Sequence, residues 1–441
     1  MDEWRRMGAA ALGRGIAAGD IDPVALAQSF LDAAEAHPAA ARIYARLTPE
    51  RAIAEAEAAR ERARMGRRRG PLDGVPVSWK DLFDSAGVAT EAGTRLMTGR
   101  VPDRDAEVLA RASAAGMVCL GKTHMTEIAF SGLGINPRTA TPPNIFDPEA
   151  APGGSSSGAA ASVAHGLAPL AIGSDTGGSV RVPSVWNGLV GLKPTHGALP
   201  LAGAVPLCAR FDTIGPLARS VEDANIALAA LGGPSADLRG AGLEGRRLLV
   251  IDTVVMEGLE PAVSRSFDAA LSRLDTAGAV ITRRAHPALG EAYDLSGALY
   301  TAEAWAWWRE RIEADRNALY PPILDRVSAG QGVSAADWIA GWDRLHALRR
   351  DFRAATAGFD AVICPGVAIT PPKVAPLLED AEAFRLTNLK TLRNTRLANL
   401  MGLCSAALPF GDPGCGLLLN GAAGRDAALW RLAAAVEAAL A

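Results

Sequence analysis

Short, uninterrupted apolar runs alternate along the chain with longer segments in which apolar positions recur at helical spacing. The runs predict β-strands at residues 75–79, 117–120, 168–172 and 247–251, and the amphipathic segments predict helices at 105–115, 157–166 and 220–231. Uninterrupted apolar strands are typical of a sheet that is covered on both faces. The pattern therefore predicts an α/β fold with a central mixed, mostly parallel sheet and helices on both faces.

The rest of the chain adds helices without indicating a second domain. Further helices are predicted at 24–37, 50–68 and 427–441, further strands at 360–364 and 405–409, and a long helical excursion at about 290–357. Neither an internal repeat nor a clear linker interrupts the 441 residues. We therefore expect a single large domain over residues 1–441, with its core motif region at 70–220.

Composition argues against several classes of function. The chain has 45 Lys and Arg residues against 48 Asp and Glu, a net charge of −3, which argues against nucleic acid as the main partner. No apolar run reaches the length of a membrane span. The five cysteines are scattered without a C-x-x-C spacing, so neither a disulfide framework nor a cysteine-type zinc site is expected. A reducing, cytoplasmic compartment fits this cysteine usage best.

Two loops rich in glycine and serine hold the densest chemistry. Residues 153–158 enter a predicted helix, and residues 174–179 follow a predicted strand. A helix and a strand that run in opposite directions bring both loops to one rim of the sheet. Open α/β sheets bind their ligands at this rim, beyond the carboxyl ends of the strands. Lys80 directly follows another strand and can reach the same rim.

Two serines and a lysine can together activate a nucleophile. A serine hydroxyl is a weak nucleophile until a base takes its proton, and lysine is such a base only when it is neutral. Lys80 could draw a proton from Ser155, and Ser155 from Ser179. The glycine-rich turn also presents backbone N–H groups that can hold an oxyanion: those of Thr176, Gly177, Gly178 and Ser179. This set of groups predicts acyl transfer.

Four ordered motifs and two later segments resemble the amidase signature family. They are GPLDGVPVSWKD at 70–81, PGGSSSG at 152–158, GSDTGGSVRVP at 173–183, GLKPT at 191–195, DTIGP at 212–216 and FDAVICP at 359–365. The resemblance implies that Ser179 is the nucleophile and Lys80 the base. It implies that Ser155 is a bridging serine, joined to Gly154 by a cis peptide bond. It also implies an oxyanion hole formed by residues 176–179, and hydrolysis of carboxamides through an acyl-enzyme without a metal or other cofactor.

The neighbours of these residues are expected to support them. Asp175 and Arg181 flank Ser179 and are expected to hold its loop by pairing with each other. Ser156 either forms a local hydrogen bond or assists the relay, and the sequence does not choose between these roles.

Three departures from the family pattern bear on the substrate. His124 stands where asparagine is frequent, Arg210 where a small hydroxyl residue is common, and Arg138 near the place of an aromatic–glycine pair. Arginine can bind a carboxylate through two hydrogen bonds. We therefore expect a small amide with a second acidic or polar group, steered by Arg210 or Arg138. A surface salt bridge is the alternative role for either arginine.

Two competing interpretations use the same stretches of sequence. Residues 154–158 also spell G-x-S-x-G, which would make Ser156 the nucleophile of an α/β-hydrolase-type esterase, but a loop rather than a strand precedes them. Residues 116–123 spell a phosphate-binding pattern with Lys122 as its lysine. There an apolar strand occupies the place where a phosphate cradle needs a loop, so we do not expect nucleotide binding.

The glutaminase subunit of a tRNA-dependent amidotransferase resembles the family closely and is the main functional alternative. Residues 204–214 do not match the form expected of such a subunit. A catalytically inactive binding protein is a third possibility, and the intact Lys80, Ser155 and Ser179 argue against it. The expected partner is a small-molecule amide, and a homodimer is left open.

Overall fold

One eleven-stranded mixed sheet runs through the computed structural model, which describes residues 3–441. Its strands are β1 (Tyr44–Leu47), β2 (Pro76–Lys80), β3 (Val118–Thr123), β4 (Leu170–Asp175), β5 (Val190–Lys193), β6 (Thr213–Ala218), β7 (Arg247–Ile251), β8 (Val280–Arg284), β9 (Ala361–Pro365), β10 (Cys404–Pro409) and β11 (Gly416–Gly421). Their order in the sheet is β1-β3-β2-β4-β6-β5-β10-β11-β9-β7-β8. A large mixed sheet flanked by helices is the architecture that the sequence predicts.

The helices account for about half of the remaining chain. They are α1 (Ala9–Ala18), α2 (Pro23–Ala36), α3 (Ala40–Ile43), α4 (Pro49–Arg64), α5 (Glu107–Ala114), α6 (Ser157–Ala164), α7 (Arg181–Trp186), α8 (Val221–Ala230), α9 (Pro261–Thr276), α10 (Leu289–Ala314), α11 (Pro321–Ser328), α12 (Ala335–Thr356), α13 (Val374–Glu379), α14 (Ala381–Met401) and α15 (Asp426–Leu440). The segment predicted as a helical excursion contains α10 to α12. Within residues 3–441 no helix combines the length and the apolar composition that crossing a bilayer requires.

The expectation that the sheet is mostly parallel is wrong. Of the ten pairings between these strands, six are antiparallel and four are parallel. The strands β5, β6 and β11 are antiparallel to their neighbours, yet every one of their residues is buried. None of these three strands is among those predicted from the sequence, because glycine, proline and polar residues interrupt their apolar runs, and most of the antiparallel pairings involve them.

The parallel part of the sheet places the two predicted loops together. β2 and β4 are parallel neighbours, with Trp79 opposite Ile172. Their carboxyl ends therefore meet at one rim, where Lys80 closes β2 and Asp175 closes β4. α6 begins at Ser157, so the loop before it lies beside the same rim.

Candidate active site

Lys80 lies inside the protein beside two serine hydroxyls. Its side chain has no exposed surface, and its Nζ lies 2.7 Å from Oγ of Ser155 and 2.8 Å from Oγ of Ser174. Burial lowers the pKa of Lys80 to about 7, although the carboxylates of Asp212 and Asp175 favour its charged form. An amine that is half neutral near pH 7 can accept a proton from Ser155 while Ser174 holds it in place.

Ser155 is fixed by its backbone as well as by Lys80. The peptide bond between Gly154 and Ser155 is cis, and the carbonyl of Ser155 accepts a hydrogen bond from the N–H of Thr126 at 3.1 Å. A Cβ on Gly154 would lie 2.6 Å from the Oγ of Thr126 and from the N of Gly134, so only glycine fits there. The next residue, Ser156, donates its N–H to the carbonyl of Ser179 at 3.2 Å, which joins the two loops.

The loop that carries Ser179 is held from outside by two hydroxyl donors. Tyr300 donates to the carbonyl of Thr176 at 3.0 Å, and Thr395 donates to the carbonyl of Gly177 at 2.8 Å. Because a trans peptide points its N–H away from its C=O, the carbonyl fixed by Tyr300 turns the N–H of Gly177 away from α10. The turn needs glycine at position 178, where φ is +139° and a Cβ would collide with Oγ of Thr395.

One of the four expected oxyanion donors is already engaged. The N–H of Gly178 donates to Oδ1 of Asp175 at 2.9 Å, so it is not free to hold an oxyanion as the sequence suggested. The reason is local, because the carboxylate of Asp175 folds back over the turn and also accepts from the N–H of Val180 at 3.1 Å. Thr176, Gly177 and Ser179 line a cavity and remain candidate donors.

Asp175 and Arg181 form a fully buried ion pair under the turn. Arg181 donates to both carboxylate oxygens of Asp175, at 2.9 and 3.0 Å, and neither side chain is exposed. Burial by itself raises the pKa of Asp175, but the charge and hydrogen bonds of Arg181 outweigh it and hold the pKa at about 2. Asn399 of α14 donates to Asp175 at 3.0 Å and accepts from Arg181 at 2.6 Å. The pair therefore fixes the turn from below.

Replacing Asp175 with asparagine is expected to destabilise the protein by about 3–5 kcal/mol, because Arg181 would then be a buried charge without a partner. Urea unfolding followed by tryptophan fluorescence measures this free energy. The matched control is Asp237→Asn, which breaks an exposed pair with Arg239 and should leave the unfolding midpoint unchanged. Equal midpoints for the two variants would show that the buried pair does not hold the turn.

Ser179 opens into a narrow cavity with two arginines. The cavity has a volume of about 30 Å³ and is lined by Ser179, Thr176 and Gly177 on one side and by Tyr300, Arg326 and Arg396 on the other. A second chamber of about 210 Å³ shares Thr176 and Leu207 with it. The walls of this chamber are mainly apolar, with Asp212 and the half-exposed Trp307 at its edge. The cavity of Ser179 thus contains two cationic residues, and an apolar chamber adjoins it at Thr176 and Leu207.

A family model for amidases matches residues 25–430. The chain belongs to the amidase family. This amidase is therefore an enzyme that hydrolyses carbon–nitrogen bonds of amides.

Curated relatives and solved structures agree with this assignment. The amidase is 36% identical over 383 residues to 2-amino-5-chloromuconic acid deaminase of Comamonas testosteroni, covering 84% of this chain and 82% of that protein. It is 32% identical to a glutamyl-tRNA(Gln) amidotransferase subunit of Chloroflexus aurantiacus, covering 93% and 91%. A crystal structure of an amidase superposes with a TM-score of 0.90 at 32% identity, covering 99% and 100%. The peptide amidase of Stenotrophomonas maltophilia gives 0.82 at 27% identity, covering 99% and 97%.

The structure places the three predicted substrate residues outside the cavity of this amidase. Arg210 is exposed, where it lies 3.6 Å from Glu303 and over the ring of Trp338. Arg138 donates to the carbonyl of Leu319 at 2.7 Å. His124 is held by its backbone between α3 and α6, and burial lowers its pKa to about 4. Each of these side chains is occupied by its own neighbours, so none of them contacts the space next to Ser179.

Arg326 and Arg396 are functional candidates that the sequence interpretation missed. Arg326 lies in α11 and Arg396 in α14, far from the motifs along the chain. No local pattern marks either residue, because each is one of many arginines in helical segments. Only the packing of these helices over the loop that carries Ser179 brings the two arginines to the same cavity as Ser179.

The competing motifs are explained by local structure. The sequence left two roles open for Ser156, a local hydrogen bond or assistance to the proton relay. The structure shows the local hydrogen bond, because the hydroxyl of Ser156 donates to the carbonyl of Ser174 at 3.2 Å. Lys122 is buried within β3, 3.4 Å from the carboxylate of Asp81, and no phosphate loop is formed at residues 116–123.

Proposed function

We propose that the protein hydrolyses a small carboxamide that also carries a carboxylate group, through an acyl-enzyme on Ser179. The observation that supports this best is that Ser179 lines the same cavity as Arg326 and Arg396. The apolar chamber beside it accommodates the carbon chain of the substrate.

The reaction begins when neutral Lys80 takes a proton from Ser155, which takes the proton of Ser179. The Oγ of Ser179 attacks the amide carbonyl, and N–H groups of Thr176, Gly177 and Ser179 hold the negative oxygen. The carbon–nitrogen bond then breaks, and the departing nitrogen receives the proton back through Ser155. Water repeats the cycle on the acyl-enzyme and releases a carboxylic acid, so that amide and water give carboxylate and ammonium.

The two arginines explain why the substrate should be acidic. The Nη2 of Arg396 is buried without a hydrogen-bond partner, and no acidic residue of the described chain lines this cavity. Burial and the charge of Arg396 together lower the pKa of Arg326 to about 9. A substrate carboxylate would supply the missing acceptor and offset both charges. The Comamonas relative supports this proposal, because its name describes a substrate that is an acid.

An ammonia-release screen over matched amides tests the proposal. Succinamate should be hydrolysed much faster than butyramide, which has the same carbon chain without the carboxylate. The Ser179→Ala protein serves as the blank. Equal rates for succinamate and butyramide would contradict the proposed carboxylate in the substrate. If no ammonia release depended on Ser179, the proposed reaction itself would be wrong.

Replacing Arg396 with alanine is expected to raise KM for the acidic amide about 10- to 100-fold, because charged hydrogen bonds contribute about 1.5–3 kcal/mol. The value of kcat should change little, since the contact is made equally in the ground state and the transition state. Steady-state kinetics on both members of the pair measure the effect. The matched control is Arg385→Ala, an exposed residue of the same helix that pairs with Glu382. An unchanged KM in Arg396→Ala would contradict the role of this residue.

A glutaminase subunit of a tRNA-dependent amidotransferase is the second candidate, because the similarity to such a subunit covers 93% of this chain. Glutamine carries an ammonium group beside its carboxylate, and Asp212 of the adjoining chamber is already engaged by the hydroxyl of Thr176 and two backbone N–H groups. The geometry therefore favours an acid without that ammonium. A glutamine-to-glutamate assay, with size-exclusion chromatography for partner subunits, separates the two candidates.

The location and assembly of the protein remain predictions. All five cysteines are buried thiols without a disulfide, which supports the expected reducing, cytoplasmic compartment. The homodimer is likewise a prediction that size-exclusion chromatography tests.

A further inference from the structure

A basic groove of about 770 Å³ lies beside the catalytic cavity and is separate from it. Five of its lining residues are cations, namely Lys193, Arg210, Arg349, Arg350 and Arg353. The histidines His196 and His346 also line it. The only acidic residue among its lining residues is Asp343. Phe211 lines the groove and packs 4.3 Å from Tyr300, which lines the cavity of Ser179. These two rings form the wall between the spaces.

The floor of the groove is a buried ammonium group. Lys193, the last residue of β5, is 1% exposed, and its Nζ donates to the carbonyl of Pro194 at 3.0 Å. Burial lowers the pKa of Lys193 to about 8. The nearby carboxylate of Asp426 accepts hydrogen bonds from the N–H and the hydroxyl of Thr195, at 2.7 and 2.6 Å. Within residues 3–441 Lys193 therefore has no ion pair, although a buried charge normally needs one.

The wall of the groove is one face of α12. His346, Arg349, Arg350 and Arg353 recur at spacings of three and four residues, which places them on the same side of a helix. The guanidinium group of Arg349 donates to two backbone carbonyls at the end of α14, at 2.6 and 3.1 Å. The structure shows no ion pair for Arg350 or Arg353 in the part of the chain that it describes. Asp343 is the one acidic lining residue on this face, and it forms no ion pair with Arg350 or Arg353 among the described residues. Like charges at this spacing repel one another, so the positive charges of the face outnumber the negative charge and favour a bound anion.

We propose that the basic groove binds a small polyanion, a molecule with two or more phosphate or carboxylate groups. The volume of the groove is that of an ordinary small-molecule site. Guanidinium groups bind both kinds of oxyanion through paired hydrogen bonds, and Lys193 supplies a point charge at the base. Arg210 contributes less than the others, because Glu303 already lies 3.6 Å from it. The concentration of positive charge contrasts with the net charge of −3 of the whole chain.

Isothermal titration calorimetry of the full chain with tripolyphosphate and with citrate, at matched ionic strength, tests this proposal. The double variant Arg350→Glu/Arg353→Glu should weaken binding of the preferred anion roughly tenfold or more. The control Arg67→Glu/Arg309→Glu makes the same change of charge at two exposed positions outside the groove and should bind as the parent does. Whichever anion binds more tightly identifies the ligand as phosphorylated or as a polycarboxylate.

Three results would overturn the proposal: no binding of either anion, an equal loss in the groove variant and the control, or a loss in Arg396→Ala instead. The last would place the anion in the cavity of Ser179. The Ser179→Ala protein should retain full binding, because the groove is independent of the proposed reaction. If the glutamate variant fails to fold, Arg350→Gln/Arg353→Gln with Arg67→Gln/Arg309→Gln as its control replaces it.

Discussion

Replacing Ser179 with alanine is expected to reduce kcat on every amide substrate by roughly 10⁴-fold or more, since no acyl-enzyme can then form. Substrate binding should persist, because the two arginines and the apolar chamber are unchanged. Ammonia release under single-turnover conditions measures the loss. A fluorophosphonate probe should label the parent protein on the peptide that contains Ser179 and should leave the variant unlabelled.

Ser156→Ala is the matched control for that experiment. The hydroxyl of Ser156 is hydrogen bonded to the backbone of Ser174, whose side chain contacts Lys80. Its loss should therefore lower activity only modestly. An inactive Ser156→Ala protein beside an active Ser179→Ala protein would contradict the proposed mechanism and support the α/β-hydrolase alternative.

Lys80→Met is expected to lower kcat/KM by about 10³- to 10⁴-fold and to abolish its dependence on pH below neutrality. In the parent the pKa of Lys80 is lowered to about 7, so the neutral amine is scarce at acid pH. The parent value of kcat/KM should rise about tenfold per pH unit up to about pH 7 and then level off. Profiles of log kcat/KM against pH for both proteins measure this. A variant that keeps the acidic limb would show that another group is the base.

The same substitution should stabilise the fold near neutral pH. The folded pKa of Lys80, about 7, lies below its ordinary value of 10.5, so the unfolded chain binds a proton that the folded chain releases between these values. Stability therefore rises with pH across this window by up to about 1.4 kcal/mol per pH unit, and the full cost of burying the amine is present below it. Lys80→Met removes this contribution, whereas Lys193 contributes a slope of the same sign in both proteins. Urea unfolding at pH 7 and pH 10 should show the advantage of the variant at pH 7 and little at pH 10.

The convergence of the catalytic groups could be predicted because it depends on short-range features. Lys80 ends one strand, and the loop of Ser179 follows its parallel neighbour, so the rim brings them together. The resemblance to a family added the cis peptide bond before Ser155, which the structure shows. The structure adds Ser174 as a contact of Lys80, and that residue lay in a quoted motif without being assigned a role.

The substrate side of the site could not be predicted in the same way. Arg210 and Arg138 stand out in the sequence because they depart from the family pattern, whereas the arginines of the cavity come from α11 and α14. Their positions depend on how long helices pack, which no periodicity within a helix specifies. The edge strands β1 and β8 were missed for a related reason: they are largely exposed or half-buried and show no apolar run.

The complete burial of Lys80 determines the route by which this residue gains and loses its proton during turnover. A side chain with no surface open to solvent exchanges its proton through the hydroxyls that contact it rather than directly with a buffer molecule. The proton that arrives through the two alcohols must leave by the same path, and the departing nitrogen is its destination. In each half of the proposed reaction, the proton that the attacking group gives up is therefore the one that the leaving group receives.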